Sequence, residues 1–279
     1  MSSIEITDRE FDQIKDMMYR RTGVHLKPTK KPLVMTRLRK RLDELKLSRF
    51  TDYIPLLERD TGPELEIFIN ALTTNETYFF RHSKQFNYLY EEILPSIMAR
   101  GAAQGFKVKI WSGASSSGEE PYSIAITCRE FFKGRPGWRV DLVASDINTE
   151  VIDEAKEGVF SERSIKDVPP ALKDKFFVPF PSTENKMWKE FKLSETITKS
   201  VRFTQHNLLK PFGEHDFDII FLRNVMIYFD NESKQKVVDN VLASLKPGGY
   251  FIISLSESLN DVRNHVTQVF SGVYQKEGS

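Results

Sequence analysis

The sequence predicts an α/β protein: a doubly wound, mainly parallel sheet, with a small all-helical domain in front of it and a small β-subdomain inserted in it. Three observations carry this. Over the first ~75 residues apolar side chains recur at helical spacing only. After that, short β-rich runs alternate with amphipathic helices, the pattern of a parallel sheet with helical crossovers. A glycine-bearing loop follows the first of those runs, and sheets of this kind hold ligands at the carboxyl ends of their strands. The expected division is residues 1–75 for the helical domain and 76–279 for the sheet domain, with the insertion at about 160–200.

Taken in order, Thr7-x-x-Glu10 is a capping box, Phe11, Ile14 and Met18 follow on one helical face, and Gly23 ends that helix. Val34, Leu38, Leu42 and Leu45 predict a second helix, Tyr53, Ile54 and Leu57 a third, and Leu65, Phe68, Ile69 and Leu72 a fourth, after punctuation by Thr61, Gly62 and Pro63. The joint at 73–82 holds Tyr78, Phe79, Phe80 and Arg81 in succession. That is too aromatic for a solvated linker and predicts a buried or site-forming segment. Helices are then expected over 83–98, 121–132 and 234–245, the last stopped by Lys-Pro-Gly-Gly at 246–249. Strands are expected over 107–111, 138–145, 201–204, 218–222 and 250–255. The insertion is rich in Pro, Lys and Phe and ends in an alternation of Lys192, Ser194, Thr196 and Thr198, which predicts a small antiparallel sheet.

Bulk properties exclude several classes. The 279 residues are 40% hydrophobic and 28% charged, an ordinary globular composition. Net charge is +1, so the whole molecule is no electrostatic trap for nucleic acid. A single cysteine, Cys128, allows no disulfide within the chain and suits a reducing compartment. No apolar run approaches the roughly 20 residues that span a bilayer, and the N-terminus has neither a basic nor an apolar leader region. The expectation is a cytoplasmic monomer that meets a membrane only through a partner. The five histidines show no metal-ligand spacing, so no metal is expected.

The strongest local signal is Gly113-Ala-Ser-Ser-Ser-Gly118-Glu119-Glu120-Pro121 after the first strand. A P-loop would place Lys-Ser/Thr where Glu119 and Glu120 stand, and two carboxylates repel a triphosphate. A dinucleotide fingerprint would need glycine where Ser115 stands, and a nucleophile elbow would need glycine at Ser117. A loop that rejects phosphates but gathers acids suits a ligand with an amine and a ribose. Asp146 ends the second strand, where a carboxylate accepts from ribose hydroxyls, and Glu119 can accept from an ammonium. Singly, each reads as an ordinary helix-N-terminal acid. Together, on alternating elements, they point to S-adenosylmethionine, which has both groups and no phosphate.

Four segments carry a family resemblance: NALTTNETYFFR at 70–81, SSGEEPYSIAI at 116–126, ASDI at 144–147 and RNVMIYF at 223–229. In order and spacing the chain resembles the CheR family, the chemotaxis protein-glutamate O-methyltransferases, along nearly its whole length. The resemblance implies a helical N-terminal domain, an S-adenosylmethionine-dependent methyltransferase domain with a β-subdomain, and methyl transfer to glutamate side chains in the cytoplasmic helical region of a chemoreceptor. It implies that Asn75, Thr77 and Arg81 face the cofactor and active site. Glu119 and Asp146 would hold the methionine amine and the ribose, Asn207 and Leu208 the adenine side, and Arg223 and Asn224 the cofactor again, with Gly113 in the loop. Arg81 and Tyr228 would lie nearest the transferred methyl. The stretch from 177 to 201 looks longer than in relatives whose β-subdomain grips a receptor's C-terminal pentapeptide, and no repeat domain follows Lys276.

A glutamate acceptor is ionised at neutral pH, so no general base is required. Arg81 is expected to orient it, Tyr228 to add a hydrogen bond, and Tyr78, Phe79 and Phe80 either to wall the site or simply to fill core; Ile227 and Phe229 are read as core. Between 27 and 42 the basic residues are Lys27, Lys30, Lys31, Arg37, Arg39, Lys40 and Arg41, with no acid among them. A solvated helix face is the ordinary reading; a dock for acidic receptor helices is the functional one. A sensor without turnover, or a methyltransferase on another acceptor, remains the alternative.

Overall fold

The computed structural model describes residues 5–59, 62–101, 105–181 and 189–278. The capping box forms as the sequence requires: Thr7 Oγ1 accepts from the Glu10 amide, while Glu10 Oε2 accepts from the Thr7 amide at 2.8 Å. Helix α1 (Asp8–Thr22) then runs to Gly23, whose φ of +76° supplies the left-handed stop. Helices α2 (Lys31–Glu44), α3 (Phe50–Arg59) and α4 (Pro63–Leu72) close a core around Ile14, Met18, Leu38, Phe50, Tyr53 and Phe68, all fully buried. Thr61, one of the expected punctuating residues, lies outside the described residues.

The expected single helix over 83–98 is three pieces: α5 (Ser83–Tyr88), a π-turn (Leu89–Ile93) and α6 (Leu94–Ala99). Pro95 explains the break. It has no N–H for the helical ladder and its ring crowds the carbonyl four residues back, so the turn widens and Leu94 donates to Leu89.

The main sheet has seven strands in the order β6-β2-β1-β7-β8-β10-β9. These are β1 (Lys107–Gly113), β2 (Arg139–Asp146), β6 (Val201–Gln205), β7 (Phe217–Leu222), β8 (Leu245–Ile252), β9 (Val266–Phe270) and β10 (Val273–Lys276). The first five pair in parallel, and β10 runs antiparallel to both its neighbours, β8 and β9. Helix α7 (Glu119–Phe132) crosses from β1 to β2, and α11 (Asn231–Ser244) from β7 to β8. Alternate residues of the central strands enter two cores: Ile110, Leu142 and Phe221 meet Ile124 and Leu89 on one face, and Trp111, Val143 and Ile220 meet Val237 and Val241 on the other. Because the chain leaves β1 in one direction and returns to β7 on its other side, a crevice opens at the carboxyl ends between them.

Four expectations are corrected. Helix α11 begins at Asn231 because Asp230 caps it, accepting from the Ser233 amide at 2.9 Å. Lys246-Pro-Gly-Gly does not separate helix from strand but lies within β8, whose pairing with β7 is irregular there. Strands β9 and β10 were not foreseen, since β9 is a half-exposed edge strand without clean alternation. The insertion is indeed a small antiparallel sheet, β3 (Val159–Ser161), β5 (Glu190–Leu193) and β4 (Phe177–Phe180), with α8 (Thr149–Glu157) before it and α9 (Pro170–Phe176) inside it. The alternation ending at Thr198 is not strand, however: 195–198 is the short helix α10 (Glu195–Thr198), whose Ile197 is buried. Residues 182–188 of the insertion lie outside the described residues.

Gly118 shows how tightly the loop and α7 are set. Its φ is +97°, and a Cβ there would lie 2.9 Å from both Ala155 Cβ and Tyr122 Cε2. Gly118→Ala should therefore cost about 2 kcal/mol or more of stability, read as a lowered urea midpoint with unchanged slope.

Candidate active site

A cavity of about 290 Å³ lies at the carboxyl ends of β1, β2, β6 and β7, roofed by the joint and by the helical domain. Its lining includes Asn75, Thr77, Tyr78, Arg81, Asp146, Asn207, Leu208, Arg223, Asn224 and Tyr228, brought together from four parts of the chain. Two sequence-predicted residues are not in the lining. Gly113 ends β1 with Leu222 and Leu208 closing over it, and a Cβ there would meet Leu222 Cδ1 at 3.0 Å. Glu119 points the other way: its carboxylate accepts from Ser117 Oγ and from Ser164 Oγ of the insertion, both at 2.7 Å.

Glu120 lines the cavity instead. It accepts from Ser112 Oγ at 2.8 Å and pairs with Arg223 at 3.0 Å, with 12% and 1% of the two side chains exposed. Arg223 also donates to the Arg81 carbonyl and to His82 Nδ1, the latter at 3.0 Å. Burial pushes the Glu120 carboxyl up, opposed by Arg223. Burial likewise pulls the Arg223 guanidinium down, opposed by Glu120.

Asp146 is 7% exposed and takes one backbone N–H on each oxygen, from Ser116 at 2.8 Å and from Asn148 at 3.0 Å. Burial raises its carboxyl while these amides oppose the rise. Ser116 Oγ in turn donates to the Asn75 carbonyl at 2.9 Å, tying loop to joint. Asn207 is committed structurally, its Nδ2 donating to the Arg21 carbonyl at 2.7 Å and its Oδ1 accepting from the Leu209 amide. Asn224 has a φ of +62°, a conformation asparagine tolerates, and its Nδ2 donates to Ser254 Oγ. Arg81 donates to the Glu76 carbonyl at 2.9 Å and lies over the Tyr78 ring.

Phe79 and Phe80 are core rather than wall: Phe79 meets Phe160 and Phe177 edge-on, and Phe80 meets Phe86. Ile227, read as core from sequence, is 53% exposed at the cavity. Sequence reasoning also missed Ser115 and His206 in the lining. His206 directly follows β6 and Ser115 lies two residues beyond the end of β1, a signal that position relative to a strand could have supplied.

Five buried side-chain polar atoms have no partner among the described residues, and four belong to cavity-lining residues: Arg81 Nε, Ser115 Oγ, His206 Nε2 and Arg223 Nε. Unpaired buried polar atoms are costly, so their convergence marks a place built for a polar ligand. With Asp146 open for a ribose, and no glycine-lysine cradle for phosphate, the residues fit S-adenosylmethionine. Among the described residues, no His/Cys/Asp/Glu cluster is arranged to hold a metal ion, and no helix is long and apolar enough to cross a membrane.

The basic run divides in two. Lys31 pairs with Asp8 at 2.6 Å, Arg41 pairs with Glu44 and Glu64, and Arg37 donates to the Thr73 carbonyl at 2.7 Å. Lys30, Arg39 and Lys40 are exposed, and Lys27 and Lys30 edge the cavity.

Fold and site together define an S-adenosylmethionine-dependent methyltransferase. The family model described as "CheR methyltransferase, SAM binding domain" matches residues 75–275, and "CheR methyltransferase, all-alpha domain" matches 9–73. The chain belongs to the CheR methyltransferase family, which carries out S-adenosylmethionine-dependent methylation in chemotaxis. It is 36% identical to chemotaxis protein methyltransferase 2 of Vibrio cholerae, over 94% of this chain and 90% of that one. It is 34% identical to the chemotaxis protein methyltransferase of Borreliella burgdorferi, over 98% and 96%. It is 38% identical to chemotaxis protein methyltransferase 2 of Pseudomonas aeruginosa, over 96% and 93%. A solved glycopeptide N-methyltransferase with S-adenosyl-L-methionine overlaps 59% of this chain and 53% of its own at 13% identity and a TM-score of 0.33, too slight a likeness to argue from.

Removing Glu120 would leave the buried Arg223 guanidinium without its ion-pair partner. Glu120→Ala should destabilise the fold by about 3 kcal/mol, with Glu120→Gln retaining part of that because an amide oxygen can still accept from Arg223; urea unfolding of the two variants checks this.

Proposed function

We propose that this methyltransferase esterifies glutamate side chains in the cytoplasmic helical region of a chemoreceptor, forming glutamyl methyl esters for sensory adaptation. The observation that carries the reading is the charge arrangement of the cavity. Glu120 is matched by Arg223, Asp146 is held by backbone amides, and Arg81 lines the cavity with the exposed Lys27 and Lys30 at its edge. That rim suits an anionic acceptor.

A glutamate carboxylate, with an ordinary pKa near 4.3, arrives as the nucleophile. S-adenosylmethionine, when bound, supplies a methyl group on a cationic sulfonium. On this reading Asp146 accepts from the ribose, and Asn75, Thr77, Glu120, Asn207, Leu208, Arg223 and Asn224 hold the remainder. The protein's work is then orientation and exclusion of water. Arg81 is braced by the Glu76 carbonyl and the Tyr78 ring yet keeps donors in reserve, so it can align the carboxylate without quenching it. Tyr228 approaches from the opposite loop, its carbonyl accepting from the His25 amide at 2.8 Å and its side chain facing the cavity.

Incubation with methyl-labelled S-adenosylmethionine and receptor-containing membranes, followed by mild base, tests the reaction. Receptor label released as methanol is expected. Cofactor binding with no receptor label would instead mean another acceptor or a sensor. Arg81→Ala should lose about 100-fold or more in turnover while still binding S-adenosylhomocysteine; loss of both together would make Arg81 chiefly a cofactor ligand. For docking, Arg39 and Lys40 are the informative pair, since Arg37 and Arg41 are spent within the protein. Arg39→Glu with Lys40→Glu should slow receptor methylation about tenfold at low salt and flatten its salt dependence. Unchanged rates would exclude this face.

A further inference from the structure

Glu257 lies in the bend after β8, outside every motif discussed above, yet its carboxylate gathers three backbone amides. Oε2 accepts from Asn224 at 3.0 Å and from Ser254 at 2.9 Å, and Oε1 accepts from Met226 at 2.9 Å. Two of these belong to the loop that leaves β7 and turns through a 3-10 helix, Met226–Tyr228. The first amides of such a turn have no partner within it, and here Asn224 departs further with its left-handed backbone. Asn224 Nδ2 adds a bond to Ser254 Oγ at 2.9 Å, so the loop bearing Asn224 and Tyr228 is clasped to the end of β8 at one point.

We infer that Glu257 is a positioning residue for methyl transfer, fixing the 224–228 turn so that Tyr228 and Asn224 are presented to the cavity. The inference rests on the methyl-transfer reading above. A carboxylate suits the task because both oxygens accept and charge-assisted bonds are the stronger kind. An amide has one accepting oxygen and would set its NH₂ against the Met226 amide.

The full chain is compared with Glu257→Gln and Glu257→Ala in the labelled-receptor assay, well below the unfolding temperature. Turnover should fall about tenfold for Gln and about 100-fold for Ala, with the receptor KM changed by no more than about twofold, because misplacement of reacting groups acts on kcat rather than on docking. S-adenosylhomocysteine should still bind one-to-one. In the cofactor-free chain, amide hydrogen exchange over 223–229 should accelerate at least about tenfold in Ala and less in Gln. Wild-type turnover and exchange in both variants would overturn the inference. So would an Ala variant that loses binding stoichiometry and thermal midpoint along with rate while Gln behaves as wild type, since that is a purely structural role. Absence of receptor label with the wild-type chain itself would sink the methyl-transfer reading, and this inference with it.

Discussion

Arg223 has 1% of its side chain exposed. A guanidinium cannot be deprotonated away at any ordinary pH, so its burial has to be met by partners, and the site is arranged around how it is met. Glu120 comes from the first turn of α7, the Arg81 carbonyl and His82 Nδ1 from the joint, and the Phe86 ring lies 5.6 Å below the charge. One side chain at the end of β7 thereby sets the glycine loop's helix, the interdomain joint and the floor of the cavity relative to one another. Such a pair is weak as a net source of stability. Its worth is that few other arrangements of these elements would satisfy it.

The adjacent acids Glu119 and Glu120 show where sequence reasoning ran out. Both stand at the start of α7, about 100° apart around its axis, and the loop pattern alone says only that acids belong there. Glu119 is claimed by Ser164, 45 residues away in the insertion. Nothing local announces that contact, so the choice between the two acids was not legible. Elements governed by local chemistry were: the capping box at Thr7, the glycine stop at Gly23, the alternation of β1, the apolar run of β7, and Asp146 at a strand end. What failed depended on partners distant in the chain, as with Ile227, His206 and Glu257, or on a side chain's effect on its own ladder, as with Pro95.

The basic helix follows the same rule. Helical period decides which cations face inward: Arg37 and Arg41 share the inner face of α2 with Val34, Leu38 and Leu42, and both are spent on the fold, Arg37 on the Thr73 carbonyl at the entrance to the joint. A charge run that looks uniform in one dimension is thus an inner set that braces the roof and an outer set, Arg39 and Lys40, that remains exposed. The roof is further tied down by the bridge between Val24 and Phe229 and by Asn207 bonding Arg21 across the domains.

These ties bear on why the proposed chemistry could run without a base. An acceptor that arrives ionised needs alignment and a dry approach rather than proton removal. Arg81 and Tyr228 stand on different segments, and their mutual position is therefore only as good as the joint and the 224–228 turn. The joint is held by Arg223 and by Ser116 on the Asn75 carbonyl; the turn is held by Glu257 below and by the His25 amide above. The helical domain supplies that last contact. It belongs to the active site's construction as well as to any docking surface, which gives a physical reason for a small helical domain to sit directly over the sheet's carboxyl edge.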